Sequence, residues 1–143
     1  MIEKKDLQFD SIQSCVIPYR YINTTIEFLM ITSIKKKKWI FPKGYIEYNL
    51  TAFESAKKEA YEEAGVIGEN ETSELGSFII VKNDEKCLVK VFSMQVAEEL
   101  NDFPEKNLRR KKWMKLNEVI EASDNVKIKQ LVKNLFEQLT KNQ

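Results

Sequence analysis

Three carboxylates recur at helical spacing in one short run: Glu59, Glu62 and Glu63, followed at once by Ala64 and Gly65. At about 100° per residue, offsets of three and four put them within an arc of about 100°. Like charges held that close repel one another unless a cation neutralises them. Hard oxygen donors in such a cluster suit Mg²⁺ or Mn²⁺. The plainer alternative is a solvated charged face, because Lys58 precedes Glu62 by four residues and Glu54 precedes Lys58 by four. The chain contains no histidine, which removes His-based triads, His zinc sites and His general bases. Acid–base chemistry must then come from carboxylates, Lys, Tyr or metal-bound water. A second charged group, Lys35 to Lys38, reads first as an exposed turn and second as mobile point charges for phosphate.

The acidic run needs a helix with fixed ends, and the sequence supplies both. Thr51-Ala-Phe-Glu54 has the form of a capping box, and Gly65 suits the left-handed residue after a helix. The helix is therefore expected over residues 52–64. Ala52, Ala56, Ala60 and Ala64 form a small-residue stripe that lets it lie close to a sheet, beside its acidic face. Strands are expected at 14–21, 25–33, 39–41, 75–82, 86–97 and 110–116, from their Ile, Val, Phe and Thr content. Turns fall at Ile22-Asn23-Thr24 and Asn83-Asp84, and Pro42 and Gly44 break regular structure. Helices follow at 117–122 and 126–140, the second with the stripe Ile128, Leu131, Val132, Leu135, Phe136 and Leu139. No repeat or boundary is visible, so residues 1–143 read as a single domain. A mixed β-sheet flanked by helices, an α+β chain of the α/β/α sandwich type, is the expected fold.

The segment from Gly44 to Val66 resembles the Nudix box, G-x5-E-x7-R-E-U-x-E-E-x-G-U, where U is aliphatic. Gly44 matches the first Gly, and Glu59, Glu62, Glu63, Gly65 and Val66 match the second half, with Ala60 at the first U. Trp39-Ile-Phe-Pro-Lys-Gly44, Val16-Ile-Pro-Tyr-Arg20 and Arg109-Arg-Lys-Lys-Trp113 resemble the family's flanks, so the likeness runs from about residue 13 to about residue 140. Those flanks look most like the diadenosine-polyphosphate and diphosphoinositol-polyphosphate hydrolase branch. Leu50 stands where the family has its first Glu, and Lys58 where it has Arg. Both partners have changed together, which reads as altered scaffolding beside an intact acidic half. Glu47, in the loop, is a candidate replacement for the missing carboxylate.

The resemblance implies the Nudix fold and a Mg²⁺-dependent hydrolase, with Mn²⁺ as an alternative ion. It implies Glu59 and Glu63 as direct metal ligands and the Gly44 carbonyl as a further one. Glu62 is either a third ligand or the base that orients water. Arg20 and Lys43 lie in segments resembling the family's substrate-facing strands and join Lys37 and Lys38 as candidate substrate contacts. Arg109 and Arg110 rank below them. Glu98, Glu99 and Glu105 fall in the loop region where some relatives carry an extra carboxylate, and they read first as a solvated acidic loop. Trp39 and Trp113 read as core residues before base-stacking platforms.

With 143 residues, 43% hydrophobic and 31% charged, the chain can bury one real core and keep a polar surface. A net charge of +1 gives no global field toward nucleic acid or membrane. No apolar run approaches the ~18 residues of a membrane span, and Met-Ile-Glu-Lys-Lys-Asp lacks the apolar centre of a signal peptide. Cys15 and Cys87 are too few for a disulfide framework and are expected as buried thiols in a reducing cytoplasm. On that expectation the sequons at Asn23, Asn49 and Asn70 are ordinary loop residues. The expected partner is a small nucleotide or polyphosphate, with no membrane and with nucleic acid ranked last. The oligomeric state is open, a homodimer included. Three functions stay in play. The first is Mg²⁺-dependent cleavage of a pyrophosphate linkage in a nucleoside diphosphate-linked compound, with diadenosine polyphosphate preferred. The second is a catalytically weak or inactive Nudix-fold nucleotide sensor, motivated by Leu50 and Lys58. The third is removal of pyrophosphate from RNA 5′ ends, for which Lys35 to Lys38 offer charge but no wider patch.

Overall fold

The computed structural model describes residues 8–69 and 73–142. The N-terminal hexapeptide and the Asn70 sequon lie outside those residues. The strands in chain order are β1 (Ser11–Ile22), β2 (Thr25–Thr32), β3 (Trp39–Ile40), β4 (Lys43–Tyr45), β5 (Val66–Glu69), β6 (Gly76–Lys82), β7 (Glu85–Glu99) and β8 (Lys111–Met114). The helices are α1 (Ala52–Ala64), α2 (Leu116–Ala122) and α3 (Val126–Lys141).

β1 and β7 run parallel through the middle of the sheet, in register from Ser11↔Cys87 to Tyr19↔Gln95. Each changes its outer partner along its length. β1 pairs β4 at its start and β2 at its end, while β7 pairs β6 first and then β5. Side-chain alternation divides β1 between two cores. Cys15, Ile17 and Tyr19 pack with Val119, Ile128, Leu131 and Leu135 of α2 and α3. Val16 packs with Leu29, Phe92 and Met94 and with Phe53, Ala56 and Ala60 of α1. A strand buried on both faces must be central. Helices on opposite faces of one mixed sheet make the expected α/β/α sandwich.

α1 begins and ends where its sequence signals lie. The Glu54 amide donates to Thr51 Oγ1 at 3.1 Å, and the Thr51 amide donates to Glu54 Oε1 at 2.8 Å. Gly65 adopts φ 68° and its amide donates to the Tyr61 carbonyl at 3.0 Å. Ala56, Ala60 and Ala64 are fully buried against the sheet.

Four expectations need correction. Lys43–Tyr45 forms a short strand where Pro42 and Gly44 had suggested only a break, because β1 offers it a free edge at Gln13, Ser14 and Cys15. Val66–Glu69 is a strand that local composition did not reveal, since it exists by pairing with distant β7. That pairing extends β7 to Glu99, so Glu98 and Glu99 sit in a strand and not in a loop. Cys15 is buried, its thiol pushed up to about 12 by burial, but Cys87 is only half-buried. The Asn83-Asp84 turn has φ 52° and 65°, the primed hairpin geometry that matches strand twist. No helix of the described residues is long and apolar enough to cross a membrane.

Candidate active site

Helix α1 carries Glu59 and Glu63 on the side that meets β4. Glu63 is buried and its carboxylate is met from three directions. The Lys43 amide donates to Oε1 at 3.2 Å, Arg109 Nη2 stands 3.6 Å from Oε2, and Glu59 shares a side-chain hydrogen bond. Burial raises the Glu63 pKa to about 8. Arg109 opposes that rise, and the Glu59 charge adds to it. Glu59 is also raised, first by burial and then by the charges of Glu62 and Glu105, while its bond to Glu63 pulls it down. Burial and mutual repulsion therefore push both carboxyls of the pair toward the protonated form. Two carboxylates that cannot both ionise in isolation mark a place made for added positive charge.

Gly44 explains how the pair fits. A Cβ there would lie 2.4 Å from Glu59 Cδ and 2.5 Å from its Oε2. Gly44 is thus fixed by close approach, for only Gly65 has positive φ among the described glycines. A hard-oxygen pair against a strand stripped of its side chain fits a small divalent cation. Glu62 lies on the same face and acts on Glu59 through its charge. Among the described residues no three Asp, Glu or Cys side chains converge tightly enough to hold an ion as they stand. An ion held there would compete with protons for these carboxylates.

The loop after β7 closes over the end of α1. The Leu100 amide donates to the Gly65 carbonyl at 2.7 Å, and the Glu105 amide to the Glu62 carbonyl at 2.9 Å. Lys111 Nζ donates to the Ala64 carbonyl at 2.8 Å and stands over the Phe103 ring. Glu105 accepts from Arg109 Nε at 2.8 Å, so it is not a free solvated acid.

The altered half of the box has its own repair. Lys58 Nζ donates to Glu47 Oε2 at 2.6 Å, and the Glu47 amide donates to Ser55 Oγ at 3.0 Å. Glu47 thus ties the loop to the helix as the candidate replacement would. Leu50 is half-buried and shares a shallow depression with Lys58, Tyr61 and Val66.

The candidate substrate contacts divide. Lys43 turns its side chain to the far face of the sheet, where Nζ donates to Gln13 Oε1 at 3.2 Å. There it lines a cavity of about 190 Å³ with Lys38, Trp39, Phe78, Ile128 and Asp124. Lys38 crosses the mouth to Asp124 at 3.0 Å. Lys37 is exposed at the turn with φ 56° and does not line this cavity. Arg20 is placed elsewhere, bound to Glu27 at 2.7 Å and stacked 4.1 Å over Trp113. Trp113 also donates to Glu99, which Lys111 grips at 2.9 Å. Burial opposes these bonds, but they hold Glu99 below its ordinary pKa. The sequence did not point to Phe78 and Asp124 at this cavity, nor to Arg109 beside Glu63. The spacing of Glu105 and Arg109 was the one available signal, and only for a local ion pair.

Residues 20–135 match the family described as the NUDIX domain. Nudix hydrolase 18, mitochondrial, of Arabidopsis thaliana is 34% identical over 133 residues, covering 87% of this chain and 75% of that protein. Nudix hydrolase 17, mitochondrial, of the same plant is 32% identical over 133 residues, covering 87% and 72%. The crystal structure of C. elegans Ap4A hydrolase superposes with TM-score 0.74 at 20% identity, covering 90% of this chain and 98% of that one. At that identity the superposition speaks for the fold alone. The chain belongs to the Nudix hydrolase family, and it is a pyrophosphohydrolase acting on phosphoric anhydrides.

Proposed function

We propose that the chain is a Mg²⁺-dependent hydrolase of nucleoside diphosphate-linked compounds, with diadenosine polyphosphates as the preferred class. The observation that carries this reading is the double role of the Lys43–Gly44 strand. Its one face floors the Glu59–Glu63 pair and its other face, through Lys43, lines the cavity walled by Trp39 and Phe78. An aromatic base in the cavity would have its phosphates pass round the outer edge of β4, which pairs with β1 alone among the described strands, to reach the acids on the opposite face. Lys43 and Lys38 meet the phosphates as point charges, and Trp39 and Phe78 offer flat apolar walls to the base. Glu59 and Glu63 would hold the ion, with the Gly44 carbonyl and Glu62 as further candidates. When bound, a divalent ion neutralises charge on the phosphate oxygens and lowers the pKa of water. Mn²⁺ serves the same ligand set.

A nucleotide sensor is the second reading, favoured by Leu50 and Lys58, the two departures from the box. One experiment separates the two. The protein is incubated with Mg²⁺ and diadenosine polyphosphates, nucleotide sugars, nucleoside triphosphates or 5′-triphosphorylated RNA, and the products are identified chromatographically. Turnover is expected with a dinucleotide, and Glu63→Gln should nearly abolish it without unfolding the chain. Saturable binding with no product from any compound would favour the sensor. Release of pyrophosphate from the RNA at a comparable rate would favour the third function.

A further inference from the structure

We propose that Arg109 is a resident counter-cation that holds Glu63 in the metal-free chain and yields it when a divalent ion binds. The inference rests on Glu59 and Glu63 being the metal carboxylates. Its geometric basis is the way one guanidinium is divided. Nη1 donates to the Thr32 carbonyl at 3.1 Å, Nε donates to Glu105 Oε1 at 2.8 Å, and Nη2 stands 3.6 Å from Glu63 Oε2. The side chain is only 11% exposed, so solvent does little to screen it. Two short bonds to the end of β2 and to Glu105 fix the guanidinium plane. The third contact, to Glu63, is the longest and can be surrendered while the other two persist. Glu105 in turn acts on Glu59 by its charge and is tied through its amide to Glu62. Arg109 therefore faces the same carboxylates that an incoming cation needs.

A buried Arg that merely braced the loop would give the opposite sign. Its removal would loosen the acids and weaken metal binding. A resident competitor, once removed, leaves a more negative site, and a divalent ion should bind roughly five- to tenfold tighter. The test is calorimetric titration of Mn²⁺ into wild type, Arg109→Gln, Arg109→Lys and Glu63→Gln, with melting curves taken without metal. Arg109→Gln should bind Mn²⁺ more tightly, melt lower when metal-free and gain more Tm on adding metal. Arg109→Lys keeps the charge and should stay close to wild-type affinity. In the wild-type chain, the Arg109 guanidinium NMR resonances should move as Mg²⁺ saturates, which needs no variant to fold. Unmoved resonances, or unchanged or weaker binding in Arg109→Gln while Glu63→Gln abolishes binding, would overturn the exchange alone. Wild-type binding by Glu63→Gln would overturn the metal assignment and the exchange with it.

Discussion

Gly44→Ala isolates the acid pair from the rest of the fold. Gly44 does not lie in the left-handed region, so alanine can adopt its backbone conformation. Its strand partner, Ser14, is unaffected, and alanine removes some of the entropy that glycine loses on folding. Global stability should therefore change by no more than about 1 kcal/mol. The three atoms nearest the added methyl all belong to the Glu59 carboxylate. Ordinary contact begins at 3.4 Å and the Cβ would stand 2.4 Å from Glu59 Cδ, so the carboxylate must retreat by about 1 Å. Glu59 is a flexible side chain and can do so, but not while holding an ion against β4 and bonding Glu63. A displacement of that size costs on the order of 100-fold in rate when geometry limits the reaction. The assay is turnover on the best substrate of the panel, with Mn²⁺ affinity by calorimetry and Tm in parallel. Turnover and metal affinity should fall together at nearly constant Tm. A variant that melts normally, binds Mn²⁺ normally and turns over normally would refute the role assigned to Gly44 and Glu59.

The raised Glu63 pKa gives a pH dependence with a definite sign. An acid whose folded pKa of about 8 exceeds its ordinary 4.5 takes up a proton on folding between those values. Metal-free stability should then be greatest in acid and fall as pH rises through that window, and Glu63→Gln should flatten the profile in thermal melts. Mn²⁺ binding should strengthen over the same range, because proton and ion compete for one carboxylate; a pH-independent affinity would contradict this. The Lys58–Glu47 pair is half-exposed on both sides, 44% and 41%, so Lys58→Met should leave Tm and turnover almost unchanged. A large loss of metal affinity in that variant would show that the pair positions α1.

The local features of α1 were legible because their causes are local. A capping box spans four residues, a left-handed glycine one, and the alanine stripe follows from 3.6-residue periodicity; each lies where the sequence put it. Glu59 and Glu63 met for the same reason, being four apart on one helix. Strands held together by distant partners were less legible. β4 and β5 are short, contain glycine, and take their form from β1 and β7. Glu98 and Glu99 were misplaced with them, since their strand exists only where β5 runs beside it. The Lys58–Glu47 pair was approachable from the two coupled departures at Leu50 and Lys58, but its 2.6 Å geometry was not.

Sequence alone determined the acidic helix, its ends, the family and the absence of histidine chemistry. Tertiary structure decided which groups surround the acids. Arg109 lies 46 positions beyond Glu63 in the chain and Lys43 lies 20 before it, yet both touch its carboxylate. It also sent the Lys43 side chain through the sheet to a cavity shared with Asp124, and engaged Arg20 with Glu27 and Trp113. These contacts depend on sheet register and on which face each residue presents. Both are properties of pairing between distant segments, and no local pattern of residue types encodes them.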